Sequence, residues 1–413
     1  MRTAAVSGVR DKAGLGLAPV NSPPPRAPGA PPPVAAAAPA GIVFRGEIYG
    51  GSGFADGNQD ILAGLEPGAM PLQLLPLGLQ EDRGGLLPPQ RRRELERLQR
   101  RRLDWSQSVL YQSCPPDQLL TDAGARVCIG RTTFETDSLP PGWSDCCNNM
   151  DEVWVPSTFN RESFERAGVQ PRKLLVIGEG LDTTRYRPGL KPLPLPGLRG
   201  FNFVSVFEWG HRKGWEVLLR AYCSAFRADE DVTLILKSRK LGDATGEKLE
   251  QELVYNLERV MGFRMQHVPP ILLLRGMLPA QDMPRLYATA DAFVLPTRGE
   301  GWGRPFMEAA ASQLPVLATR WSGHLDFLND RNSYLIDVEK LVDAPPDVDV
   351  EIFLGQRWAQ PSPEHLAQLM RRVFDHRGEA RARAWQARQD MVTQWDRAVV
   401  APRWVQAFRR LLG

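Results

Sequence analysis

The stretch Arg298–His324, RGEGWGRPFMEAAASQLPVLATRWSGH, places two carboxylates, Glu300 and Glu308, around a glycine-flanked Trp302 and Pro305. The apolar run AFVLP before it reads as a strand that Pro296 ends, and TRGEGWGR is the loop leaving that strand's carboxyl end. Pro305 suits the first position of a helix, where a missing N–H does no harm. Ala309, Ala310 and Ala311 continue that helix, Pro315 lies past its end, and PVLAT begins the next strand. Glu300 is thus expected in the loop and Glu308 about one turn inside the helix. Both would overlook the carboxyl edge of a parallel sheet, where open α/β sheets bind ligands. Gly301 and Gly303 leave the backbone free for close approach, and a helix start suits a phosphate. Carboxylates beside an anion would repel it, so they make better sense as acceptors for hydroxyls on either side. A sugar diol and a ribose diol would meet that need. An ordinary polar loop followed by an exposed helix glutamate is the competing reading of these residues alone.

Working outward, strands and helices alternate on both sides of this stretch. GIVFRGEIYGGSGFADGNQDILAGLE reads as a strand, a glycine-rich loop with Gly51, Ser52 and Gly53, and a helix; PLQLLPLG follows as a second strand. QRRRELERLQRRRLDW has a helical period with Leu95, Leu98 and Leu103 to one side. Its charged face suits solvent, with peripheral contact on an anionic membrane as the alternative, opposed by Glu94 and Glu96. ARVCIG and DEVWVPS read as further strands, and STFNRESFERAG as a capped helix. RPGLKPLPLPGL is the best linker in the chain. Beyond it come strand–helix repeats from NFVSVFEWG to SYLID, which predicts two parallel α/β sheets, one on each side of the linker. The expected segmentation is a disordered Pro/Ala-rich segment at 1–40, domains at 41–190 and 201–375 joined by 191–200, and closing helices at 376–413.

The bulk numbers agree with a two-domain chain. It has 413 residues, 43% hydrophobic and 24% charged, and a net charge of +3, which gives no global electrostatic case for nucleic acid. Cys114, Cys128, Cys146, Cys147 and Cys223 are an odd set without metal-ligand spacing, so buried thiols in a reducing, cytoplasmic compartment are expected. No run reaches membrane-spanning length. The Arg- and Ser-containing start, MRTAAVSGVR, has some of the character of a transit peptide, against which Asp11 argues. No histidine pair has metal-ligand spacing, and DVD at 347–349 reads as a solvated loop, so no metal site and no cofactor are expected.

EGWGRPFMEAAASQLPVLAT resembles the signature of the family 4 (group 1) glycosyltransferases: a glutamate, seven residues, a second glutamate, an alanine-rich helix and a Pro-Val strand. NFVSVFEWGHRKGWEVLLRAYCSAF resembles that family's first donor-domain strand and helix, with Lys213-Gly214 at its lysine-glycine position. WSGHLDF, with Gly323, resembles its glycine loop. DEVWVPSTFNRESFERAGV and KLLVIGEGLDTTRYRP resemble the end of its acceptor domain. The resemblance covers about residues 41–410. It implies the GT-B fold, two Rossmann-like domains with parallel sheets facing a cleft, and helices packing back across them at the C-terminus. It further implies retaining, metal-independent transfer from a UDP- or GDP-linked sugar to a carbohydrate, lipid or small-molecule acceptor. Under it Glu300 accepts from the donor sugar and Glu308 from the ribose. Gly301, Trp302 and Gly303 present amides, and Lys213 pairs with the diphosphate, with Arg212 beside it.

The departures are specific. Glu208 stands where the family has a phosphate-binding arginine, leaving Arg212, Lys237 and Arg304 as substitutes. Gly178-Glu179 replaces a Pro-Asn pair. The segment GRTTFETD replaces a loop that in many relatives carries a histidine facing the reacting carbon, which puts Arg131, Thr132 and Glu135 on the acceptor side of the cleft. Those departures keep open a sugar-nucleotide-binding protein without transferase activity, or a GT-B epimerase or hydrolase.

Overall fold

The computed structural model describes residues 38–65, 70–79, 87–121, 124–240, 242–243, 245–345 and 351–413. The Pro/Ala-rich segment before residue 38 and the DVD at 347–349 lie outside the described residues.

The N-terminal lobe is built on β1 (Ile42–Glu47), α1 (Gly53–Leu65), β2 (Leu72–Leu77), α2 (Pro89–Arg100), β3 (Val109–Ser113), β4 (Val127–Arg131), α3 (Trp143–Asn148), β5 (Glu152–Val155), α4 (Thr158–Arg166) and β6 (Leu174–Val176). Its sheet is parallel throughout, in the order β2-β1-β3-β4-β5-β6. Strands covered on both faces must be apolar along their length, and IVF of β1 and VLY of β3 are fully buried. Helix α4 begins as the sequence predicts: the Ser157 hydroxyl accepts from the Asn160 N–H at 3.1 Å, which satisfies one orphan donor of the first turn.

The second lobe comprises β7 (Phe201–Glu208), α5 (Trp215–Ala225), β8 (Val232–Arg239), α6 (Glu247–Tyr255), β9 (Ile271–Leu274), α7 (Met283–Tyr287), β10 (Ala292–Leu295), α8 (Arg304–Ala311), β11 (Val316–Thr319) and β12 (Tyr334–Ile336). Its sheet is also parallel, in the order β12-β11-β10-β7-β8-β9. The strand order reverses between β7 and β10, so the loops leaving these two strands diverge and open a crevice at their carboxyl ends. Both loops carry candidate site residues: 209–214 after β7 and 296–303 after β10.

Four elements depart from the sequence reading. The central strand β3 was not expected, nor was the short helix α3 that holds Cys146 and Cys147. An antiparallel pair, β13 (Val338–Asp343) with β14 (Arg357–Pro361), also follows β12. After β14 come α9 (Pro363–Asp375), α10 (Arg377–Asp390) and α11 (Arg397–Leu412). Helix α9 packs on α5, whereas α11 crosses to the first lobe and packs on α1. There Trp404 and Phe408 join Tyr111 and Trp154 in one aromatic cluster, with Phe408 4.9 Å from Trp154 and 5.4 Å from Tyr111 between ring centroids. Leu193 in the linker donates its N–H to the Arg285 carbonyl, so the proline-rich segment lies along the second lobe. All five cysteines are free.

Candidate functional site

The loop 296–303 brings its glutamate to the two cations that leave β7. Lys213 Nζ donates to Glu300 Oε1 at 2.5 Å, Arg212 Nη1 lies 3.4 Å from Glu300 Oε2, and the Thr297 hydroxyl donates to Oε1 at 3.0 Å. The loop is fixed at both ends. Arg212 donates to the Gly299 carbonyl at 2.7 Å, the Glu300 N–H donates to Ser322 Oγ at 3.0 Å, and the Gly323 N–H donates to the Glu300 carbonyl at 2.9 Å. Burial alone would raise the Glu300 carboxyl, but Lys213 and Arg212 overcome it and hold the group at about 2. Burial and the neighbouring Arg212 depress Lys213 against the pull of Glu300. Across the cleft Arg212 Nη2 also lies 3.3 Å from Glu135 Oε1 of the first lobe, a carboxyl that burial raises and Arg212 opposes.

Glu308 lies on the next helix, α8, and is buried. Its Oε2 accepts from the Tyr287 hydroxyl at 2.8 Å. Burial raises its carboxyl, Arg304 pulling the other way, and Asp56 on α1 raises it further. Glu300 is buried too, and both carboxylates face groups of the opposite lobe: Glu135 for one, Asp56 for the other. The reading as an exposed helix glutamate therefore does not apply to Glu308.

The glycines of the signature also lie where the chain itself is close. A Cβ on Gly301 would lie 1.5 Å from Thr133 Oγ1, and the Gly301 carbonyl accepts from Ser157 Oγ at 2.8 Å. The close approach at this glycine is thus made by the first lobe of the protein. Gly303 has φ +99°, a conformation L side chains rarely adopt, and begins α8. Trp302 points inward and packs between Phe327 and Trp395. Gly323 lies against the Gly301 carbonyl.

The substitute cations fall in different places. Arg304 is committed to the first lobe, 2.6 Å from Asp60 and 3.4 Å from Glu179, and Arg131 is taken by Glu179. Lys237 donates to the Gly276 carbonyl, and burial and Arg239 lower its ammonium to about 8. Glu208 is matched by Arg239 at 2.9 Å, opposite it in the β7–β8 register. Its negative charge therefore has a partner other than Lys213. Gly51, in the loop before α1, meets Met277 of the second lobe, while Ser52 donates to Glu47 at 2.7 Å; Gly53 starts α1. Thr132 is buried, and its hydroxyl has no partner among the described residues. Sequence reasoning placed His324 in the glycine loop. Its ring is buried, bonds the Thr319 carbonyl and packs at a tilt against Phe306. Sequence reasoning missed Tyr287, Thr297, Ser157 and Asp326, the last of which accepts from the Thr158 N–H across the lobes at 2.9 Å. Single hydroxyls and carboxylates of this kind carry no motif of their own.

Among the described residues no three His, Cys, Asp or Glu side chains gather as a metal site, and no helix is long and apolar enough to cross a membrane. Arg212 and Lys213 bring positive charge to the crevice.

Residues 199–345 match the family described as glycosyl transferases group 1. A D-inositol 3-phosphate glycosyltransferase of Corynebacterium aurimucosum is 28% identical over 170 residues, 40% of this chain and 39% of the relative. A GDP-mannose-dependent alpha-(1-6)-phosphatidylinositol monomannoside mannosyltransferase of Mycolicibacterium smegmatis is 27% identical over 246 residues, 52% of this chain and 59% of the relative. The chain thus spans less than two thirds of the length of each. Among solved structures, Anabaena Alr3699/HepE in complex with UDP and glucose superposes with a TM-score of 0.62 at 15% identity, over 90% of this chain and 100% of that one. The architecture is GT-B.

Proposed function

We propose that this chain, which carries a group 1 glycosyl transferase domain at residues 199–345, transfers a sugar from a UDP- or GDP-linked donor to a hydroxyl acceptor, with retention and without a metal. The observation that carries this reading is the ion triad of Glu300, Lys213 and Arg212 at the crevice between β7 and β10. In this arrangement Lys213 and Arg212 keep the Glu300 carboxyl ionised against its burial, and an ionised carboxylate is an acceptor for hydroxyls. Glu300 is therefore a holder. An arriving diphosphate competes for Lys213 and Arg212, and the freed carboxylate of Glu300 accepts from the sugar hydroxyls. The two cations then stabilise the departing nucleoside diphosphate, the role a metal ion fills elsewhere. Glu308, fixed by Tyr287, accepts from the ribose, and the start of α8 faces the diphosphate.

The HepE complex contains UDP and glucose, and the two relatives are named for inositol phosphate and GDP-mannose chemistry. Those names support a nucleotide-sugar donor and a polyol, carbohydrate or lipid-linked acceptor. The exposed arginines of α2, Arg93, Arg97 and Arg100, suit peripheral contact with an anionic membrane. Five free thiols suit a reducing compartment such as the cytoplasm.

The test is a panel of UDP- and GDP-sugars read by thermal stabilisation, since a ligand of the native state raises the melting temperature. Product anomers from mixed acceptors are then assigned by NMR, with and without EDTA. One donor should stabilise the protein and give a product with retained configuration regardless of EDTA. Stabilisation by none of the donors would end the reading, and an inverted product or loss of turnover in EDTA would end its mechanistic half.

A further inference from the structure

The candidate site leaves one charged feature unused. Starting at the segment after β6, Asp182 lies 3.2 Å from Arg397 of α11, and Arg397 lies 3.1 Å from Asp60 of α1. Asp60 lies 2.6 Å from Arg304, the first residue of α8, which lies 3.4 Å from Glu179, and Glu179 binds Arg131 at the end of β4. The signs alternate without a break from the crossing helix, through the first lobe, to the donor-side helix and back. Arg304, Glu179 and Arg131 are all buried. Glu179 stands so close to α1 that a Cβ on Gly57 would lie 2.8 Å from its Oε2.

Buried ion pairs of this kind contribute little net stability against their desolvation, yet breaking one strands an uncompensated charge. Their best-attested use is to fix one arrangement among alternatives. Here the arrangement being fixed is that of α8. Arg304 follows Gly303 directly, and Glu308 lies one turn further along. Whatever holds the Arg304 guanidinium sets where the start of α8 and the Glu308 carboxylate stand relative to the first lobe.

We propose that Arg304 is a positioning residue: through Asp60 and Glu179 the first lobe sets the register of α8, so that donor and acceptor come together in one geometry. This rests on the glycosyl-transfer reading for its kinetic consequence, although the tie between the lobes can be measured without it. Arg304 acts on the reaction through the placement of α8, and a direct bond to the donor phosphates is not part of the role.

The experiment uses the full chain with Arg304→Gln, Arg304→Lys, Asp60→Asn and the double variant R304Q/D60N. Binding of UDP and of GDP is measured by calorimetry, nucleoside diphosphate release from UDP-glucose and GDP-mannose with the mixed hydroxyl acceptors present by a coupled assay, and lobe separation by small-angle scattering. Expected are a tenfold or greater fall in kcat for both R304Q and D60N, with nucleotide affinity within threefold of wild type. The double variant should be no slower than the slower single one, R304K should recover part of the rate, and the radius of gyration should rise in R304Q and D60N. If R304Q does not fold, D60N alone carries the same split, because it leaves Arg304 in place. Loss of UDP or GDP affinity in R304Q but not in D60N would make Arg304 a phosphate ligand and overturn the proposal. So would additive rate losses, or unchanged scattering in both single variants. If no donor of the UDP- and GDP-sugar panel stabilises the wild-type chain, the transfer reading fails, and the scattering comparison still decides whether Arg304 ties the lobes.

Discussion

At the scale of the residue, Glu300 shows how one side chain can record the state of a site. Its folded-state carboxyl lies at about 2 against an ordinary 4.5, so its ionised form is favoured by folding. The sign follows from linkage: a depressed carboxyl stabilises fully above pH 4.5, and the contribution disappears as pH falls towards 2. The difference corresponds to on the order of 3 kcal/mol. Glu300→Gln should therefore be less stable than wild type by about that amount at pH 7, with Lys213 left buried without its partner. The gap should close between pH 4.5 and 2, as read by denaturant melts at a series of pH values; a constant gap would mean that the triad is not ionic. Tyr287 offers a second check. Tyr287→Phe removes the donor to Glu308 Oε2, and an unsatisfied buried acceptor costs about 1–3 kcal/mol. UDP- or GDP-sugar affinity should fall with stability, and calorimetry with Glu308→Gln as the reference tests whether the two changes act through one group. Glu300 and Glu308 were both legible from their spacing around a strand-ending proline and a helix-starting one. Tyr287 was not, because nothing in MPRLYATA distinguishes a tyrosine that reaches the next helix from one that fills the core.

At the scale of the element, what could be read was periodicity and what could not was pairing. Strand β10 is a continuous apolar run, β1 opens on Ile-Val-Phe and β7 carries five apolar residues among its eight, and the helix after Gly303 has its proline and its alanines. Strand β3 escaped because its apolar run is only the three residues VLY, set between polar Ser106-Gln107-Ser108 and Gln112-Ser113 with no turn residue to mark its start. The fold satisfies Gln112 locally: it accepts from the Leu120 N–H at 2.9 Å and donates to its carbonyl at 3.0 Å. The β13–β14 pair escaped for another reason: its strands are mixed in polarity and far apart in sequence, so only tertiary contact makes them strands. The signature loop was read as a close-approach element, and at Gly301 the first lobe makes such an approach. Since Thr133 occupies the space in front of Gly301, Gly301→Ala should push the lobes apart rather than distort either one. Turnover should fall at least tenfold, with the melting temperature of the donor-side lobe within a few degrees of wild type. Hydrogen exchange at 131–137 and 157–160 should rise, and a variant protected there like wild type would show that the loop yields instead.

At the scale of the whole molecule, the two lobes are joined by more than the linker, because α11 belongs to the second lobe in sequence and to the first in packing. Trp404 and Phe408 complete the aromatic cluster around Tyr111 and Trp154, and the Trp404 Nε1 donates to the Gly178 carbonyl at 3.2 Å. The first lobe thus lacks part of its core until the last residues of the chain arrive. That dependence was visible in outline, since the C-terminal run is rich in tryptophan, with Trp385, Trp395 and Trp404, but its destination was not, because an apolar side chain does not name the surface that covers it. Phe408→Ala empties a fully buried ring site and should cost the first lobe about 3–5 kcal/mol. The second lobe keeps its own core around β7, β10 and α8. Calorimetry should therefore resolve one transition into two, the earlier belonging to the first lobe. Added UDP or GDP should move only the later one if the nucleotide sits on the second lobe. A single transition shifted as a whole would mean that the lobes unfold as a unit, with the ion pairs at Arg304 and the packing at Gly301 outweighing the independence of the two sheets.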